Sequence, residues 1–266
     1  LSRSGGTENV KYFVSGGLME QKGVVKGYQY KRASFRSNLD IKVTDFLTIG
    51  TSAFVSNNNY DGGRANLLNA SAMSPYGQIY NADGTYKIMP MDPEQLYLNP
   101  LLGLTTDRID RNTNVNGNGY AEIKFSGALE GLKYRMNIGY TYLPKRTGSY
   151  IGRAANDLRG TAETFSSETN SYTLENLLTY TKDWGKHHID FTGLYSAQER
   201  NYLESTAGAV GFVNDELSFY NLSAGATQTS RSYKDRYALL SQMGRINYSF
   251  DSRYLFTVTG RRDGSS

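Results

Sequence analysis

No cysteine occurs anywhere in the chain, which excludes a disulfide-stapled scaffold. Apolar residues are scarce as well, at 38% of 266, below the share usual in globular domains. No run approaches the ~20 apolar residues that a membrane helix requires; that test is blind to strands that alternate. Leu1-Ser2-Arg3-Ser4 has neither the apolar core nor the cleavage site of a signal peptide. No block of like charge exists either. The formal charge is +4, but basic and acidic residues are interleaved, which leaves no stripe to track phosphates and argues against nucleic acid. Histidine is nearly absent: His187 and His188 are the only two. Neighbours on a strand point to opposite faces, so this pair reads as structural rather than as a shared metal site. There is no HExxH, no nucleophile elbow and no phosphate loop. No fixed carboxylate pair supports acid–base work. The sequence therefore reads as no enzyme and calls for no cofactor.

What is abundant is tyrosine, 22 residues, and glycine, 28, against five prolines; that balance leans to an all-β chain. Period-two patterning supports it. Ala238, Leu240, Gly244, Ile246, Tyr248 and Phe250 share one face; Asp251-Ser252 turns the chain, and Tyr254, Phe256 and Val258 return. Phe35, Leu39, Ile41 and Val43 oppose Arg36, Asn38, Asp40 and Lys42 before a turn at Thr44-Asp45. The cleanest hairpin sets Ala121, Ile123 and Phe125 before Leu129-Glu130-Gly131, then Leu132, Tyr134, Met136, Ile138, Tyr140 and Tyr142 after it. A further hairpin, about Asn170 to Gln198, turns at Asp183-Trp184-Gly185-Lys186. The final strand has no partner after it, so the chain reads as a piece of a larger sheet.

The connections are asymmetric. At one end they are tight: Gly5 to Asn9, Thr44-Asp45, Leu129-Glu130, Asp183 to Lys186 and Asp251-Ser252. At the other end the expected loops are long: Asn57–Asn118, Pro144–Glu168 and Asn201–Arg231. Short turns on one side, long loops on the other and long alternating strands describe a partial antiparallel transmembrane β-barrel of about eight or nine strands. The turns would be periplasmic and the loops extracellular. Tyr134, Tyr140, Tyr142 and Tyr195 are candidates for interfacial girdles. A soluble carbohydrate-binding β-sandwich is the alternative from another class, although sandwiches scatter long loops between both ends.

Several motifs carry a resemblance. Val10-Lys11-Tyr12-Phe13-Val14-Ser15-Gly16-Gly17, Arg32 to Asp40, Asp83-Gly84-Thr85-Tyr86, Asn99-Pro100-Leu101, Trp184-Gly185-Lys186-His187-His188, Gly244 to Phe250 and Arg262-Asp263-Gly264-Ser265-Ser266 closely resemble the SusC/RagA family. These are TonB-linked outer-membrane transporters of Bacteroidetes, and the resemblance runs over essentially the whole chain. It implies residues 1–266 as part of a roughly 22-stranded plugged barrel, with plug domain, TonB box and signal peptide outside this sequence. It implies outer-membrane lipid around the barrel, a SusD-like lipoprotein and TonB as partners, and uptake of oligosaccharide or peptide, oligosaccharide first. A receptor for metal chelates and a passive porin remain as alternatives.

The long loops hold the residue types that bind sugars, aromatic rings beside planar polar side chains. In the first loop these are Tyr60, Asp61, Arg64, Tyr76, Tyr80, Tyr86 and Tyr97. In the third they are Phe212, Asn214, Asp215 and Tyr220. Ordering of the loops, or contact with a capping lipoprotein, is the plainer role for the same residues. Asn81-Ala82-Asp83-Gly84 reads as a turn, since the alternating ligand spacing of a calcium loop is missing.

Overall fold

Ten strands in strict sequence order form one antiparallel sheet in the computed structural model, which describes residues 1–266. They are β1 (Ser2–Gly6), β2 (Val10–Lys22), β3 (Gln29–Lys42), β4 (Leu47–Asn59), β5 (Asp107–Lys124), β6 (Leu132–Ile151), β7 (Thr161–Trp184), β8 (His187–Phe212), β9 (Gly225–Phe250) and β10 (Tyr254–Ser265). One short helix, α1 (Leu67–Ala72), lies between β4 and β5. β1 pairs only with β2 and β10 only with β9, so the sheet is an open wall rather than a closed barrel.

No second layer covers this wall. Only 18 of 266 residues are buried, far too few for a sandwich, whose two inner faces bury each other. Cohesion comes from the ladder, with 144 of 184 backbone hydrogen bonds inside the regular elements. A sheet left in water with this much bare apolar surface would aggregate. In a bilayer the same surface faces hydrocarbon, and every ladder bond is made within the protein.

The pairing register sorts the side chains into two faces. Across the wall Lys11, Asp40, Gly50, Tyr120, Asn137, Glu175, Ser196, Ser241 and Asp263 stand in one row of direct partners. This is the polar face, the lining of an aqueous lumen. A row of the opposite face reads Tyr12, Leu39, Thr51, Gly119, Ile138, Leu174, Ala197 and Leu240. Ile138, Leu174 and Leu240 are 51%, 37% and 43% exposed, as residues turned toward lipid are. Aromatic side chains mark both ends of this face. Tyr140 and Tyr172 lie 5.0 Å apart beside Tyr142 at the upper end of the apolar runs of β6 and β7. At the turn end Trp184 stacks on His187, which meets Phe250, and the His187 ring Nδ1 and the Tyr248 hydroxyl are 2.6 Å apart. His188 instead pairs with Asp183 on the other face, Nδ1 to Oδ1 2.6 Å.

The tight hairpin turns fall on one end, as the sequence implies, and the three long loops on the other, which also carries the short 23–28 link between β2 and β3. At the β9–β10 turn both Asp251 and Ser252 have positive φ, 51° and 54°, the left-handed pair whose twist suits a tight hairpin. Lys186 Nζ lies 3.2 Å from Asp251 Oδ1, so two neighbouring turns are tied together.

Three expectations need correction. The strands number ten rather than eight or nine, and Gly5 and Gly6 belong to β1 instead of the first turn. The three long loops are also shorter than expected, spanning 60–106, 152–160 and 213–224. β7, β8 and β9 run 24, 26 and 26 residues, more than twice the ~9–11 that cross a bilayer. Beyond the membrane both faces of these strands meet water, so both are polar and the alternation that betrays a strand disappears.

Candidate functional site

The extracellular end gathers the three loops, and backbone contact fixes the largest. Gly63 has no room for a side chain: a Cβ there would lie 2.4 Å from the Gly103 carbonyl oxygen. The link between β2 and β3 joins in, with the Ala65 N–H donating to Lys26 O. Within the loop, Asn66 caps α1 by accepting from the Asn69 N–H at 3.1 Å. Asn99, 2% exposed, is the central staple. Its Nδ2 donates to Ile79 O and Lys87 O at 2.9 Å each, and its Oδ1 accepts from the Leu101 N–H at 3.0 Å. Tyr80 and Tyr86 bridge and stack at 5.4 Å above the turn 81–84. Thr85 donates to Asp83 by hydroxyl and by backbone, which holds that carboxyl below its ordinary range.

The first-loop candidates divide by surroundings. Tyr60 stacks on Tyr30 at 4.8 Å, and burial together with Tyr30 pushes its hydroxyl pKa up. Asp61 accepts from Arg111 Nε at 2.7 Å and from the Asp110 N–H at 2.8 Å. Burial acts to raise its pKa, but these donors and the guanidinium charge win and hold it low. Arg64 lies over the Tyr28 ring at 5.1 Å and donates to Tyr60 O. These three are locked into the loop base. Tyr76, by contrast, is 94% exposed, and Leu67, Leu68 and Leu96 of the same loop are likewise turned to solvent. Tyr80, Tyr86 and Tyr97 keep part of their rings open.

The 213–224 loop folds against the upper wall. Phe212 is buried edge-on to Tyr150, and Phe219 joins them with Ala162 and Ala209 in a small core. Gly148 makes room, since a Cβ there would meet the Phe219 ring at 2.6 Å. Asp215 latches the loop: it accepts from the Tyr150 hydroxyl at 2.8 Å and the Arg153 N–H at 2.9 Å, and pairs with the Arg153 guanidinium. Burial again acts upward on its pKa, and the Arg153 and Tyr150 contacts bring the net shift down. Ser218 Oγ donates to Asp107 Oδ2 at 2.6 Å. Asn214 caps a local turn, and Tyr220 is exposed.

On the lumen face a network that the sequence analysis missed crosses the wall. Tyr120 reaches over Gly50 and donates to Asp40 Oδ1 at 2.6 Å. Arg135 lies over the Tyr120 ring at 3.8 Å, approaches Glu122 at 3.5 Å, and donates to Asn137, which donates to Glu175. Such residues sit apart in sequence; only the register joins them.

A one-layer wall with a lipid face, a lumen face, short turns below and ordered loops above defines a segment of an outer-membrane β-barrel. No family model matches the chain. Over its whole length it is 32% identical to TonB-dependent receptor P3 of Formosa agariphila and 26% identical to TonB-dependent receptor SusC of Bacteroides thetaiotaomicron. It spans 28% of the length of each of these relatives. Among solved structures it resembles the RagAB peptide importer, with a TM-score of 0.76 at 22% identity, covering 100% of this chain and 31% of that one. The ferripyoverdine receptor of Pseudomonas aeruginosa shares the fold at a TM-score of 0.59 and 13% identity, over 99% of this chain and 34% of that one. The chain is SusC/RagA-like, and the SusC/RagA proteins are outer-membrane β-barrels.

Proposed function

We propose that residues 1–266 are part of the barrel domain of a TonB-dependent importer that takes up oligosaccharide, with a SusD-like lipoprotein over its mouth and TonB acting from the periplasm. The observation that carries this reading is the ordered, tyrosine-rich first loop standing at the extracellular end of a wall whose lumen face is polar. In this proposal the candidates split into two roles. Tyr76, Tyr80, Tyr86, Tyr97, Asn214 and Tyr220 offer surface to substrate or to the lipoprotein, and the solvent-facing Leu67, Leu68 and Leu96 enlarge the lipoprotein contact. Tyr60, Asp61, Arg64, Phe212 and Asp215 hold those surfaces in place. The loop carboxylates are committed to ion pairs and turns, which suits scaffolding rather than acid–base catalysis.

A peptide substrate is the second reading, favoured by the likeness to the peptide importer RagAB. Uptake by a strain lacking the gene for the whole transporter, supplied with labelled oligosaccharides, oligopeptides or ferric chelates, separates the readings. Selective loss of oligosaccharide uptake, restored by the gene and dependent on TonB, supports the proposal. Selective loss of peptide or chelate uptake overturns it.

A further inference from the structure

The lumen face of β3, β4 and β5 holds a compact group of side chains that the fold leaves without an obvious purpose. Direct register partners build it: Arg36 beside Phe54 beside Asn116, and two rungs outward Arg32 beside Asn58 beside Asn112. Arg36, Phe54 and Asn116 lie near the middle of their strands, and Arg32, Asn58 and Asn112 in the extracellular halves, below the first loop. Both guanidiniums converge on one ring, Arg36 at 5.2 Å and Arg32 at 5.6 Å from the Phe54 centroid. Neither forms an ion pair. Every other close arginine–aromatic contact of the lumen face has a carboxylate at hand: Arg135 has Glu122, and Arg200 has Asp235 at 3.7 Å. Arg32 Nε is moreover buried without a hydrogen-bond partner.

A ring face steadies a guanidinium through its π-electrons and leaves the in-plane N–H donors free, whereas a carboxylate would consume them. Two cations gathered on one ring repel each other, and an anion between their donors would relieve that. A guanidinium fork matches a carboxylate or sulfate bidentately. Alongside stand amides: Asn58 Nδ2 donates to Asn112 Oδ1 at 2.8 Å, and Thr141 donates to Asn116 Oδ1 at 2.8 Å. Amide groups give and take hydrogen bonds as sugar hydroxyls do.

We infer that this patch is a subsite for an acidic oligosaccharide, one that carries carboxylate or sulfate groups, with Arg32 and Arg36 taking the anion and Asn58, Asn112 and Asn116 taking hydroxyls. The inference rests on the glycan reading above and narrows it to a charged class.

The test is calorimetric titration of the whole purified transporter in detergent at low salt. The probes are oligogalacturonate, oligoalginate and chondroitin sulfate oligosaccharides, carboxyl-reduced oligogalacturonate, neutral cello-oligosaccharides and a mixed oligopeptide pool. An acidic member is expected to bind, with affinity falling about tenfold for each of Arg32→Gln and Arg36→Gln and falling again with added salt. Heat-modifiable mobility on gels confirms that both variants remain folded. Binding of neutral sugars alone, or acidic binding that ignores both substitutions, overturns the subsite and leaves the glycan reading standing. Binding of peptides alone overturns both.

Discussion

The Tyr120 hydroxyl reaches across an intervening strand to donate to Asp40 at 2.6 Å, and it can do so only because Gly50 lies beneath it. A Cβ at position 50 would stand 2.1 Å from Tyr120 Cε1 and 2.4 Å from Asp40 Oδ1. Gly50→Ala therefore displaces the ring from under Arg135 as well as breaking the hydrogen bond. Tyr120→Phe removes only the bond, worth about 1 kcal/mol. Urea unfolding of the whole protein in lipid vesicles should show Gly50→Ala as the more damaging change, with little added by combining the two.

Asn176 interrupts the lipid-facing apolar run of β7 between Leu178 and Leu174, and its Oδ1 accepts from the Tyr134 hydroxyl at 2.5 Å. Tyr134→Phe leaves that amide unpaired against hydrocarbon and should cost about 1–3 kcal/mol. Asn176→Leu removes the need for a partner. The double variant should regain most of the stability that Tyr134→Phe loses, as read from the same unfolding curves.

Asn99→Ala should loosen the first loop while sparing the wall. Three hydrogen bonds vanish: Lys87 O loses its side-chain donor, and Ile79 O keeps only the Lys87 N–H. Limited proteolysis of intact cells should cut within 60–106 in the variant and not in the wild type, with the barrel's heat-modifiable mobility unchanged.

The Asp215 latch depends on pH in one direction. Its pKa is lower in the folded loop than in an open one, so the contribution is complete above the ordinary aspartate pKa and fades as pH falls through the lowered value. Amide hydrogen exchange across 213–224 should stay slow at neutral pH and quicken in that acid range. Asp215→Asn should exchange fast at neutral pH and lose the acid response.

The hairpins flanked by turns were legible because one face met lipid and the other water, as in Leu132 to Tyr142. The outer parts of β7, β8 and β9 were not, since both faces there are wet and residues such as Ser166, Ser167 and Glu168 look like loop. The outer part of β5, assigned from the sequence to the first loop, was hidden for another reason. Its Asn112, Asn114, Asn116 and Asn118 are poor strand formers and good turn formers, yet they recur at period two on the lumen face. That spacing was the available signal. Of the candidate site residues, the sequence supplied identities but not company: nothing local reveals that Asp61 meets Arg111, or that Phe212 is buried by Tyr150 and Phe219.

The central claim is that successive residues of each strand face lumen and lipid in turn. Single cysteines placed one at a time from Arg135 to Tyr142 test it directly, in the whole protein in native outer membranes with any cysteine outside this cysteine-free stretch replaced. A charged maleimide should label positions 135, 137, 139 and 141, while positions 136, 138, 140 and 142 resist it and report lipid when they carry a quenchable probe. Labelling without period two, or with the two sets exchanged, contradicts the account.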